Sequence, residues 1–135
     1  MGLKGNKMQE QIISFETSKI LYRLNIKLKS NWVYDKRNGF KYSIQYHDGL
    51  PTDDTHICAP SQSLLQKWLR EEHDIEVNCR TNIKHDGRVV WESSGKYFKL
   101  LHHTNKRKTY SEYKRADTYE KALEKGLQEG LKLIK

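Results

Sequence analysis

The chain has 135 residues, 31% charged and 36% apolar, a length and composition that suit one domain with a real core rather than a disordered chain. No apolar run approaches the roughly 18 residues that span a bilayer, and the basic start, Met1 to Lys7, runs into Gln9, Glu10 and Gln11 where a signal peptide would be apolar; the expectation is a cytoplasmic protein with no membrane partner. The formal net charge of +8 is concentrated in two places: residues 1–30 carry six basic against two acidic residues, residues 96–115 seven against one, while 31–95 hold eight against ten and 116–135 four against four.

Residues 1–10 are rich in Gly, Lys, Asn and Gln and are expected to form a flexible N-terminus, with a single domain over 11–135. Ser14 before Phe15-Glu16-Thr17 reads as an N-cap, with Glu16 placed where the helix dipole favours negative charge. The spacing of Phe15, Ile20, Leu21 and Leu24 predicts a helix over 15–25. A hairpin follows, with Trp32 and Tyr34 on one strand and Phe40, Tyr42, Ile44 and Tyr46 on the other. A three-residue loop, Arg37-Asn38-Gly39, would oppose Tyr34 to Tyr42 and Trp32 to Ile44, gather the aromatics on one face and set Gly39 left-handed. Residues 47–59 read as a polar connection.

Pro60 introduces a second helix over about 61–73, with Leu64, Leu65, Trp68 and Leu69 as its apolar stripe. Ile75, Val77, Cys79, Thr81 and Ile83 then alternate with polar residues in a strand. A three-residue loop, His85-Asp86-Gly87, opposes Ile83 to Val89 and Thr81 to Trp91. Ser93-Ser94-Gly95 reads as a turn into a third strand, about 96–102, with Phe98 and Leu100 as core residues. The basic stretch 104–115 has no period and reads as an exposed loop or extended edge. Asp117 or Thr118 caps the last helix, over about 118–134. Its Tyr119, Ala122, Leu123, Gly126, Leu127, Gly130, Leu131 and Ile134 keep a strict three- and four-residue rhythm. Two glycines inside a helix cost roughly 1 kcal/mol each relative to alanine, so this ridge calls for close approach to the sheet or to a second copy of the chain. The fold class expected is α+β: an antiparallel sheet of about five strands with two or three helices, the C-terminal helix packed on one sheet face.

Three segments carry a resemblance: Ile13-Ser14-Phe15-Glu16-Thr17-Ser18-Lys19, the run Pro60 to Glu71 with His73 and Ile75, and Thr118 to Leu127 with Leu131 to Ile134. Together, in this order, they resemble a family of small uncharacterised proteins from gut Bacteroidetes and their phages. The resemblance implies a bacterial or phage setting and supplies no catalytic residues to carry over. From Pro60 onward the order of helix, three antiparallel strands and helix, with Leu64-Leu65-Gln66 early in the first helix, is also similar to the double-stranded RNA-binding domain. That family grips phosphate with a lysine cluster at the start of its last helix. Here the turn reads Asp117-Thr118-Tyr119-Glu120-Lys121, which would repel it.

The chemistry-bearing residues are sparse. His56-x-Cys58 and His102-His103 lack the paired spacing of a structural zinc site, so no metal and no cofactor is expected. Cys79 lies on the apolar parity of its strand. Cys58, near His56 and Asp53-Asp54, carries no mark of an activated thiol, and with two cysteines too few for a disulfide framework both are expected reduced. Phosphate-loop motifs are absent. The reading that results is a non-enzymatic accessory or protein-interaction domain, with a homodimer or a protein partner. The alternative is a nucleic-acid-binding protein in which Lys99, Lys106, Arg107, Lys108, Lys114 and Arg115 track the backbone while Tyr110 and Tyr113 stack on bases.

Overall fold

The computed structural model describes residues 11–43, 55–97, 99–100, 107–108 and 113–134. Helix α1 (Phe15–Arg23) begins where the Ser14 hydroxyl accepts the Thr17 amide, as the capping residue dictates, and it ends two residues earlier than its apolar spacing suggested. Strand β1 (Trp32–Asp35) pairs antiparallel with β2 (Lys41–Ser43) and with β3 (His56–Cys58), in the order β2-β1-β3. Helix α2 (Gln62–His73) is capped by the Ser61 hydroxyl on the Leu64 amide, and Asp74 leaves it in the left-handed conformation. Strands β4 (Ile75–Ile83) and β5 (Val89–Tyr97) form a long hairpin extended by β8 (Tyr113–Ala116), in the order β4-β5-β8. Strands β6 (Lys99–Leu100) and β7 (Arg107–Lys108) make a short separate ribbon. Thr118 caps α3 (Tyr119–Lys132), and Glu120 occupies its acidic first turn.

The molecule is therefore α+β with three helices, but its strands divide between two three-stranded sheets and a ribbon instead of one five-stranded sheet. Four local departures explain the difference. The first hairpin opposes Trp32 to Ser43, Val33 to Tyr42 and Tyr34 to Lys41, so its loop has four residues, 36–39, and the aromatics do not gather on one face. Asp35 decides this. Its carboxylate accepts the Arg37 amide and guanidinium, its carbonyl accepts the Gly39 amide at 2.8 Å, and its own amide reaches the Phe40 carbonyl. Gly39 does take a positive φ of 75°, and a Cβ there would meet the Phe15 ring at 2.9 Å, so α1 holds the loop closed.

The second departure lies in the connection over 47–59, whose end forms β3. The third is at Ser93-Ser94-Gly95, which is no turn: β5 runs straight through it, and Phe98, one of the two core residues expected there, lies outside the described residues. The fourth is at the end of the basic stretch, which forms β8, the edge that closes the second sheet. The expected N-terminal flexibility over 1–10, and Ile44 and Tyr46 of the first hairpin, also fall outside the described residues. The β4–β5 turn has the expected register, Ile83 opposite Val89 and Thr81 opposite Trp91, with Gly87 at a φ of 84°.

Both α2 and α3 pack on the same face of the β4-β5-β8 sheet. Ile13, Leu21, Leu28, Cys58, Leu65, Leu69, Ile75, Val77, Leu123, Leu127 and Leu131 form one apolar cluster joining all three helices to both sheets. Among the described residues, no helix is long and apolar enough to cross a membrane. The two glycines of α3 are not equivalent. A Cβ on Gly126 would stand 2.7 Å from Val77 Cγ1 and 2.8 Å from Ser93 Cβ, whereas one on Gly130 would find its nearest neighbours at 3.2–3.3 Å. Gly126→Ala should therefore destabilise the fold by about 1–3 kcal/mol through overpacking, although alanine is the better helix former. Gly130→Ala should fall close to neutral. Urea unfolding of the two variants checks the order, and equal midpoints would contradict the close approach at Gly126.

Candidate nucleic-acid interface

Residue parity assigns the two faces of the β4-β5-β8 sheet. Val77 and Ser93 lie under Gly126, Cys79 Sγ approaches the Tyr119 carbonyl, and the Trp91 and Tyr119 rings meet edge to face at 5.3 Å. The odd-numbered residues of β4 and β5 thus face the helices, and the even-numbered ones face away. On that far face Glu92 is the central residue. Its Oε1 accepts Asn82 Nδ2 at 2.7 Å and Arg115 Nε at 2.9 Å, and its Oε2 lies 3.7 Å from Arg80 Nε. The carboxylate is only 4% exposed, while the Arg80 and Arg115 side chains above it are 66% and 57% exposed. One buried acid thus organises two surface guanidiniums on neighbouring strands. The Asn82 and Arg115 hydrogen bonds, with the charges of Arg115 and Arg80, hold its carboxyl below the ordinary range.

The residues expected to bind nucleic acid are distributed by this geometry. Arg115 is on the far face, at Glu92. Lys114 is on the helix face, 3.8 Å from Glu129 of α3, so the two neighbours do not act on one ligand surface. Tyr113 takes the register position opposite Ser94, on the same strand as Arg115. Lys99 is opposed to Lys108 and Leu100 to Arg107 across the β6–β7 ribbon. Lys106 and Tyr110 lie outside the described residues. Arg80 and Glu92 had escaped the sequence reading because they belong to the segment with net negative charge. Their one signal was shared parity, and it became meaningful only once β8 was known to be the third strand.

The acidic start of α3 is as the sequence indicated: Lys121 pairs with Asp117 at 3.3 Å, and Glu120 follows the cap. The cysteines are poor nucleophiles. Cys58 is buried and burial pushes its thiol up, while burial lifts Cys79 to about 11. Cys58 Sγ points at the Ile26 carbonyl, and His56 sits against Thr55 and the Tyr42 ring. Among the described residues, no group of three His, Cys, Asp or Glu is arranged to hold a metal ion.

A second polar cluster joins the helices. Glu124 of α3 accepts the Ser14 amide and hydroxyl, each at 2.9 Å, together with the Thr17 hydroxyl, and its other oxygen accepts Gln62 Nε2 at 2.8 Å. An acid from one helix thereby completes the N-terminal cap of another. No protein-family model, no curated protein and no solved structure matches this chain.

Among the described residues, two carboxyls are held below their ordinary range and carry acid sensitivity. The Arg37 side chain and amide hold Asp35 down to about 2, and Glu92 is lowered by its partners. A group depressed in the fold contributes stability above its unfolded pKa and loses it as pH falls through its folded one. Stability should therefore hold above about pH 4.5 and fall toward pH 2. The Asp35→Asn, Glu92→Gln double variant should show a flatter decline in its urea midpoint from pH 6 to 3. A slope equal to that of the unaltered chain would remove these two carboxyls from the account.

Proposed function

We propose that the protein binds nucleic acid through the face of the β4-β5-β8 sheet opposite α2 and α3 and the basic segment that leads into its edge strand. The observation that carries this reading is the arrangement of Arg80 and Arg115 around Glu92 on a face that neither α2 nor α3 covers. A net charge of +8 supplies the long-range attraction, and seven of the basic residues fall in the segment 96–115 that leads into β8. The mode differs from the double-stranded RNA-binding domain, because the start of α3 presents Asp117 and Glu120 where phosphate would have to sit.

Fluorescence anisotropy with labelled single-stranded and duplex DNA and RNA, titrated with salt, tests the reading. Lys106, Arg107 and Lys108 changed together to alanine should weaken binding and flatten the salt slope, by about 0.7 for each phosphate of a single strand that the variant no longer neutralises. No binding by the unaltered chain at 50 mM salt would end the nucleic-acid reading.

A second reading, a protein-interaction domain acting through a second copy of the chain, has its own observation. The far half of the β4–β5 hairpin extends beyond α3, where the opposed Ile83 and Val89 are 72% and 55% exposed. Residues 81–91 hold Lys84 and Arg88 against Asp86, so two copies can bring these arms together with little of the repulsion that the rest of the chain carries. Light scattering across a concentration range should then show a dimer that Ile83→Ser disperses. A strict monomer at every concentration would remove this reading.

A further inference from the structure

The arrangement at Glu92 goes further than a basic surface. A carboxylate between two guanidiniums is usually a neutralising feature, yet here the acid is buried and both bases stay in solvent. It accepts a hydrogen bond from Arg115 Nε at 2.9 Å, lies within ion-pair range of Arg80 Nε at 3.7 Å, and Asn82 fills the remaining side of Oε1. A guanidinium is a rigid planar donor set matched to phosphate oxygens, and fixing its orientation before binding lowers the ordering cost of the contact. The two arginines stand on β4 and β8, the outer strands of the sheet, with β5 and its Glu92 between them. Tyr113 is two residues from Arg115 along β8, at the register position opposite Ser94, next in line on the same strand.

We infer that Arg80 and Arg115, gathered by Glu92, form a fork that seats one backbone phosphate of a nucleic-acid strand crossing β5. This rests on the nucleic-acid reading above. In it Glu92 is a positioning residue that does not touch the ligand, and its effect on binding opposes its effect on charge. Glu92→Gln raises the net charge by one, so attraction by charge alone would strengthen binding. Loss of the orienting carboxylate weakens it instead, by roughly three- to tenfold.

The experiment is anisotropy with a labelled single-stranded RNA at several salt concentrations, using the unaltered chain, Glu92→Gln, Arg115→Ala and the Arg80→Lys, Arg115→Lys double variant, with thermal melts to establish that each is folded. Expected are weaker binding by Glu92→Gln, a salt slope shallower by about 0.7 for Arg115→Ala, and weaker binding by the double lysine variant at unchanged charge. The double lysine variant decides the matter if Glu92→Gln does not fold. Competition by millimolar inorganic phosphate against the labelled strand separates a site for any phosphate from one that requires the polymer, and effective competition at that level would overturn the strand assignment. Tighter or equal binding by Glu92→Gln, or unchanged binding by the double lysine variant, would overturn the fork while leaving the broader reading intact. Absence of binding by the unaltered chain would overturn both.

Discussion

Where α3 crosses β4 and β5, its backbone lies directly on the sheet, with Gly126 over Val77 and Ser93 and Gly130 against Val77, Ile75 and Leu69. A helix this close excludes side chains from the contact line and sends Leu123, Leu127 and Leu131 to either side of it, where they meet α1, α2 and the strands. Ser93 is buried because a larger residue would collide with the same ridge. The face of the sheet that α3 occupies is thereby committed to the core. The opposite face carries Arg80, Asn82, Glu92 and Arg115.

The β2-β1-β3 half is joined to this arrangement by polar contacts as well as by the core. Glu124 completes the cap of α1 and holds Gln62 at the start of α2, while the Ile13 and Gln62 amides donate to the Pro60 and Gln11 carbonyls. Tyr34 of β1 donates to the Ile13 carbonyl at 2.6 Å, and Phe15 packs on Tyr34 and closes over Gly39. Glu124 therefore ties the starts of α1 and α2 to α3, in addition to the local caps that Ser14 and Ser61 provide.

The same economy governs the buried acids. Asp35 shapes the first hairpin and Glu92 organises the far face of the second sheet, and each is nearly covered while its arginine partners stay in solvent. Isolated surface ion pairs contribute little to stability. A buried carboxylate with hydrogen-bond donors around it is different in kind: it fixes geometry, because moving any one partner strands a charge. The functional reading depends on that geometry. Charge alone would have pointed to Lys114 as readily as to Arg115, yet pleating sends one toward Glu129 and the other to Glu92 on the opposite face.

By itself the sequence determined the helices to within about two residues, the cap at Ser14, the narrowing of the last cap to Asp117 or Thr118, the nine-residue strand β4, and the Gly87 turn with its register, because each depends on contacts within a few residues. It also marked Gly126 and Gly130 as a site of close approach and the start of α3 as unfavourable for phosphate. Tertiary structure decided the remainder. The four-residue loop over 36–39 depends on Asp35 and on a ring from α1. β3 forms because β1 offers it an edge. The course of β5 through Ser93-Ser94-Gly95 is stabilised by β4 on one side and β8 on the other. Strand partners tens of residues apart leave no local period, and for that reason the Arg80–Glu92–Arg115 group could not be read from the chain: its three members meet only after the sheet has formed.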